Sequence, residues 1–368
     1  MPTDRGQAAG RPTISEVAAE AGVGRATAAR TLGGYGHVSP ELRKRVLEAA
    51  EKLGYRANAL ARSMSTGVSH TIGVIVADIG NPFFAGVVRG ICDTSRARGF
   101  DTIVLSTYEE LDEEIAAMNV LIDKRVDGIV VASAALSGRD VGHVKEALNR
   151  GIPVVLVDRA VPSLDLDAVV IDNRDAAREG VERLIEAGHR RIGFVWGPPV
   201  AEPPATRREL LAAASRNLWT DGERLRGYLD ALDDARIPFD PALVMVGRKV
   251  EERATEEVAR MLALPDRITA LFCTEAEAVT GALRALRAAG LSYPRDVALI
   301  GFDDSAWAAV MDPPLTMIAQ PVHELGAKAA EVLLDIVRGA EPGRETHTLR
   351  SRLIERSSVA PPPANIPL

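Results

Sequence analysis

From Thr13 to Leu53, apolar residues recur at helical spacing. From Thr71 onward they gather into short β-branched runs separated by amphipathic stretches. In TISEVAAEAGVGRATAARTL (13–32), Ile14, Val17, Ala18 and Ala21 share one helical face. Thr13 is placed to N-cap this helix, since its hydroxyl can accept from a free N–H of the first turn. Gly22 breaks the helix, and a second one is expected from Gly24 or Arg25 to about Leu32. Small residues, among them Ala18, Ala21 and Ala28, let the two approach closely. The pattern is that of a helix-turn-helix, whose second helix can enter a DNA major groove. Taken alone, the same twenty residues also suit a simple helical hairpin. Ser39-Pro40 then predicts a third helix, with Ser39 as N-cap and proline at the first helical position. Val46, Leu47, Ala50 and Leu53 are expected to form its buried face. Arg43, Lys44, Arg45 and Lys52 read either as a solvated face or as phosphate contacts. The stretch 58–64 is helical in pattern but too short to stand alone in water. With the linker 65–69 it reads as a hinge that folds when DNA and a partner subunit hold it.

Beyond the linker, IGVIV (72–76) is a continuous aliphatic run of the kind buried on both faces of a parallel sheet. A helix is expected over 83–98. Further strands are expected near 102–105, 128–132, 154–157, 169–171, 192–196, 243–246, 270–273 and 297–302. Helices fall between most of them, for example at 113–124, 175–187, 251–264 and 276–289. This alternation predicts right-handed βαβ units and open parallel sheets. So many units exceed one compact sheet, so two α/β lobes are expected, with ligand bound between them at the carboxyl ends of strands.

Charge sharpens the division. The chain of 368 residues carries a net charge of −7, yet residues 1–69 hold 10 Lys+Arg against 6 Asp+Glu, and the remainder is acidic. A basic head on an acidic body suits a DNA-binding module on a domain that does not bind DNA. With 4% aromatic content the cores must be aliphatic. Cys92 and Cys273 lie far apart in apolar contexts and read as buried free thiols in a reducing, cytoplasmic compartment. No Cys/His cluster suggests a metal, and no cofactor motif is found. MPTDRGQAAGRP has no apolar signal region and reads as a disordered lead, and no apolar run is long enough to span a membrane.

These pieces, in order, resemble the lac repressor (LacI/GalR) family of bacterial transcription regulators. The resemblance rests on TISEVAAEAGV, Thr27 with Arg30, VSPELRKRVLEAAEKLGY, NALARSM, TIGVIVADIGNPFFAGVVRGI, VDGIVV, IPVVLVDR, VVIDN, LIEAGHRRIGFVWG, ERLRGYLDAL, IGFDDSAWA, PPLTMIAQP and RLIERSS. It implies a small all-α helix-turn-helix headpiece (13–56), a hinge (57–69) and an α/β core resembling type I periplasmic binding proteins. The core's N-subdomain is expected at 70–159 plus 321–346, its C-subdomain at 160–320 plus 347–360, and a tail at 361–368. The resemblance implies a homodimer on a near-palindromic double-stranded DNA operator, with some members pairing dimers into tetramers, and a small-molecule effector such as a carbohydrate. It implies no catalysis and no cofactor.

Roles carry over by position. Arg25, Ala26 and Arg30 match base-facing positions, and arginine can donate two hydrogen bonds to guanine. Thr13, Thr27, Ser39, Tyr55 and Asn58 match phosphate contacts. Met64 stands where the family wedges a leucine into the minor groove. Phe83, Phe84, Arg224, Glu275, Asp303 and Gln320 match effector contacts.

The chain also departs from the pattern. Gly24 replaces the usual serine at the N-cap of the recognition helix, Ala28-Ala29 a Val-Ser pair, Gly33 an asparagine and Ala57 a proline. Glu275-Ala276 stands where many members have Asn-Asp, Val250 replaces an aromatic, and no carboxylate stands in the loop after VDGIVV. Between Gly197 and Arg224 lies an insertion, Pro-rich first and then helical in pattern. Three alternatives stand beside a ligand-controlled repressor. An enzyme lacks its nucleophile and base motifs. An exported solute-binding protein would have a signal and no DNA head. A family member with a degenerate pocket would repress without ligand.

Overall fold

The computed structural model describes residues 12–33, 36–55, 68–135, 140–195, 197, 204–216, 218–247 and 250–364. Asn58 and Met64, with the rest of the expected hinge helix, lie outside them. The chain divides into two compact units, 1–70 and 71–368. No helix among the described residues is long and apolar enough to cross a membrane.

The first unit is three helices: α1 (Ile14–Glu20), α2 (Arg25–Gly33) and α3 (Pro40–Lys52). Thr13 and Glu16 form a capping box at α1. The Glu16 N–H donates to the threonine hydroxyl, and the Thr13 N–H donates to the Glu16 carboxylate at 2.6 Å. After α1 the chain turns at Gly22, whose φ of 62° is left-handed. Arg45 closes this turn by donating to the Ala21 carbonyl at 2.5 Å. It is therefore a structural tie across the helix-turn-helix and not simply one of a solvated row. Val17, Ala18, Ala28, Val46 and Ala49 form the buried centre. Leu47, expected on that buried face, is 51% exposed. Ala49 takes the inward position instead, beside the expected Val46 and Ala50, because the helix rotates to fit its small residues against α1 and α2.

The second unit holds two sheets. The first contains β1 (Thr71–Val76), β2 (Asp101–Ser106), β3 (Gly128–Val131), β4 (Val154–Val157), β5 (Ala168–Ile171) and β10 (Thr346–Leu349), in the order β10-β5-β4-β3-β1-β2 and all parallel. The second contains β6 (Ile192–Val195), β7 (Ala270–Cys273), β8 (Ala298–Phe302), β9 (Thr316–Ala319) and β11 (Arg352–Ile354), in the order β11-β9-β8-β7-β6, with only the β11 edge antiparallel. On the first sheet lie α4 (Pro82–Ala97), α5 (Leu111–Asp123), α6 (Gly142–Asn149) and a returning helix, here α13 (Val322–Val337). The second lobe carries α7 (Asn173–Glu186), α8 (Arg207–Ala214), α9 (Trp219–Asp234), α10 (Glu251–Leu262), α11 (Ala276–Ala288) and α12 (Ala306–Val310). Helices α4 and α13 pack so closely that a methyl on Gly326 would overlap the Val87 carbonyl.

The chain crosses between lobes three times, after β5, after β9 and after β10. The expected subdomain boundaries at 160 and 347 are thus corrected. β5 and β10 both belong to the first sheet, where Ala168 pairs with Thr346 and Val157 with Val169. The helix-strand alternation carries no signal here, because β4 and β5 are joined by a loop (158–167) and not by a helix. The strand expected at 243–246 is also absent. A 3-10 turn, Pro241–Leu243, leads to a single bridge between Val244 and Phe194 at the sheet edge. The insertion does hold an extra helix, α8, opened by a Thr206–Glu209 capping box.

Candidate functional site

In the headpiece, α2 sorts its residues by face. Ala28 and Thr31 are buried, while Arg25, Ala26 and Arg30 are exposed and Thr27 is half-buried. Arg30 folds back along its own helix, its Nε donating to the Ala26 carbonyl at 3.3 Å. Gly24 sits at the N-cap: the N–H groups of Thr27 and Ala28 donate to its carbonyl, and glycine brings no side chain of its own to cap the first turn. The first-turn N–H groups, at the positive end of the helix dipole, can meet a phosphate. Thr13 and Ser39, expected at phosphates, cap α1 and α3. Tyr55 packs against the headpiece core.

In the core, the carboxyl ends of β4 and β8 each deliver an aspartate in a left-handed conformation. Asp158 and Asp303 both have φ of 68°. Asp303 accepts from Gln320 Nε2 at 2.5 Å. Burial pushes the Asp303 carboxyl up to about 6; the Arg224 guanidinium and the Gln320 bond oppose the rise, while Asp158 and Glu277 add to it. Gln320 leaves its buried Oε1 without a hydrogen-bond partner among the described residues. Asp303 and Gln320 line a cavity of about 370 Å³ with Pro82, Phe83, Ser305, Trp307 and Val322 on its walls. Asp304, on the same rim, is held by both terminal nitrogens of Arg356 at 2.7 and 2.9 Å.

Arg224 lies behind Asp303, 5% exposed. It donates from Nε to Asn173 Oδ1 at 2.8 Å and from Nη1 to the Thr274 carbonyl at 2.7 Å. Its guanidinium stacks 3.9 Å from the Phe302 ring centroid. Asn173 Nδ2 is buried without a hydrogen-bond partner among the described residues. Phe84 packs edge-on to Phe83 and into the core. Glu275 is the N-cap residue of α11 and is not on the cavity wall. Of the six expected effector contacts, the cavity thus gathers Phe83, Asp303 and Gln320, with Arg224 as support behind them.

Residue-by-residue reading missed the first lobe's charged floor. Arg159, 5% exposed, pairs with Glu109, lies 3.3 Å from Asp158 Oδ2 and donates to the Ser133 carbonyl. Burial works against its charge, but Glu109, Asp158 and Asp221 outweigh this and raise its pKa. Below it, Glu114 accepts from Ser133 Oγ at 2.8 Å, from the Ala134 N–H at 2.5 Å and from His143 Nε2 at 2.7 Å. Helix α5 thus brings a carboxylate to the start of the loop after β3. A signal for Asp158 was present: an aliphatic strand ending in aspartate occurs at β4 just as at β8. His189 is structural, bridging Thr269 Oγ1 at 2.9 Å and the Ala360 carbonyl at 2.8 Å.

A recognition helix on a three-helix headpiece, with a cavity at the strand ends of a two-lobed α/β core, defines a class: transcription regulators built on a periplasmic-binding-protein-like core. Residues 69–357 match the family described as periplasmic binding proteins and sugar binding domain of LacI family, and residues 13–58 match bacterial regulatory proteins, lacI family. The chain belongs to the LacI family. It is 33% identical to the HTH-type transcriptional repressor CytR of Escherichia coli (strain K12), over 94% of this chain and 96% of that one. It is 32% identical to catabolite control protein A of Priestia megaterium, over 87% of this chain and 91% of the other. Among solved structures, the transcriptional regulator CelR–cellobiose complex aligns with a TM-score of 0.67 at 32% identity, covering 95% of this chain and 100% of that one. The lac repressor dimer bound to operator and the anti-inducer ONPF aligns with a TM-score of 0.79 at 24% identity, covering 95% and 100%, and supports the fold.

Proposed function

We propose that the protein is a repressor that binds a near-palindromic operator as a homodimer and is controlled by a small, hydroxyl-rich effector held between its core lobes. The observation that carries the DNA-binding half is the sorting of α2, with Arg25, Ala26 and Arg30 outward and Ala28 and Thr31 inward. Arg30 is the base-reading residue and Ala26 offers apolar contact, for instance to a thymine methyl. Thr13, Thr27, Ser39 and Tyr55, with Asn58, approach phosphates, and Met64 wedges the minor groove. A two-fold symmetric dimer places one headpiece on each half-site.

The effector half rests on the cavity's polarity. Asp303 lines the cavity as an acceptor, held in place by Gln320, while Phe83 and Trp307 supply flat apolar surface. That suits the donor-bearing hydroxyls and apolar faces of a sugar and disfavours a phosphate or carboxylate. CelR's structure holds cellobiose, which makes carbohydrates the first compounds to try. An effector shifts operator affinity only through a difference in its affinity for the two lobe arrangements.

The test is a thermal-shift screen of the full chain against sugars, sugar acids, polyols, nucleosides and sugar phosphates. A neutral sugar at about 100 times its Kd stabilises by roughly 2.7 kcal/mol. Its addition is expected to change operator affinity in wild type and not in Asp303→Ala. An anionic hit, or a response that survives Asp303→Ala, refutes the assignment. The reading of a ligand-independent repressor is favoured by one observation: the chain's own Glu109 and Asp158 already pair with Arg159 in the first lobe's floor. A blank across the whole panel supports that reading.

A further inference from the structure

Helix α9 belongs to the second lobe. It packs along α7, and its Arg224 and Tyr228 side chains reach the Thr274 and Ile192 carbonyls of that lobe. Its first residue, Trp219, goes elsewhere. The half-buried indole packs against a hydrophobic cluster whose other members among the described residues all lie between Ile75 and Val170, in the first lobe. The β4–β5 loop contributes Val161 and Leu164 to this cluster. Two residues on, Asp221 is 2% exposed, although it sits in the opening turn of a helix beside an insertion. A carboxylate is buried this deeply only where something offsets its lost hydration. Arg159 of the first lobe feels this charge, since Asp221 adds to Glu109 and Asp158 in raising its pKa. The helix opening thus places an apolar side chain on the first lobe's cluster, which includes Val161 and Leu164, and a buried charge whose field acts on Arg159 of the same loop. Leu218 and Thr220, beside these two, are buried as well, so the whole turn is packed.

We propose that the opening turn of α9, Leu218 to Asp221, is an inter-lobe latch that holds the core closed without an effector, with Trp219 and Asp221 gripping the β4–β5 loop. Its consequence is a change in what effector must do. A ligand entering a latched core works against the Trp219 contact or uses a closed state that is already formed. In both cases the operator response is set in part by these two positioning residues, neither of which lines the Asp303 cavity.

The experiment is hydrogen–deuterium exchange on the full chain with no ligand added, comparing wild type, Trp219→Ala and Asp221→Asn. The latch predicts a protected β4–β5 loop in wild type. In Trp219→Ala, exchange over 158–167 is expected to rise about tenfold through local opening. In Asp221→Asn it rises about threefold, as a neutral amide keeps the shape and loses the charge. Strands β6, β7 and β8 are expected to stay as protected as in wild type, which reports an intact second lobe. If Trp219→Ala does not fold, Asp221→Asn carries the test alone. Loop exchange unchanged from wild type in the folded variants overturns the latch. So does a loop already unprotected in wild type.

Discussion

Replacing Asp303 by Asn tests whether the cavity is built around a carboxylate that the empty protein tolerates poorly. Burial pushes this group up to about 6, from the usual aspartate value of 3.8. A carboxyl whose pKa is higher in the folded chain binds its proton more tightly there. Its ionisation therefore destabilises the fold above about pH 6, and that cost fades as pH falls toward the unfolded value. Two pKa units correspond to about 3 kcal/mol at pH 7.5. The side chain is only half-buried and solvent screens part of the effect, so about 1–2 kcal/mol is expected. The amide retains an oxygen to accept from Gln320 Nε2. Asp303→Asn should thus raise the melting temperature of the ligand-free chain by about 2–6 °C at pH 7.5. The gain should shrink steadily as pH is lowered from 7 to 4. The variant should also lose its response to effector, because an amide is a weaker acceptor for ligand hydroxyls than a carboxylate. Differential scanning fluorimetry across this pH range, with and without the effector identified by screening, measures both. No stabilisation at pH 7.5, or a gain independent of pH, would refute the reasoning.

Three further outcomes are expected. Arg30→Ala should weaken operator binding by about 1–3 kcal/mol and relax preference at one base pair, as read by fluorescence anisotropy on single-base operator variants; an equal loss on every sequence would reassign Arg30 to phosphate. Gly24→Ser adds a capping hydroxyl where nothing lies within 4 Å of the new Cβ, so the headpiece should gain a few tenths of a kcal/mol and non-specific DNA affinity should rise. Gly326→Ala forces α4 and α13 apart and should cost about 1–3 kcal/mol in thermal or urea unfolding.

The headpiece was largely legible, because its signals are local: a capping threonine, a glycine turn, and Ser39-Pro40 opening α3. Leu47 misled because apolar character does not say which face a helix presents when its neighbours are alanines. In the core, β-branched runs marked most strands. The sheet to which β5 belongs was not legible, since a helix-free loop precedes it. At 243–246 the apolar run found only one bridge, as it follows a proline turn beside an edge strand. In the cleft, Phe83, Asp303 and Gln320 were legible by position. Arg159, Asp221 and Trp219 were not: much of their environment is made by residues tens of positions away in the chain. Glu114 was hidden for the same reason, because on its own helix it reads as one more solvated acid.

The central claim, a two-fold symmetric reader of a specific DNA sequence, is tested most directly by selection. Full-length protein should be incubated with random duplex DNA, and the bound fraction recovered and sequenced over several rounds. The account predicts enrichment of a near-palindromic site whose half-sites each lose one preferred base pair in Arg30→Ala. Enrichment of no sequence, or of an asymmetric one unaffected by Arg30→Ala, would contradict it.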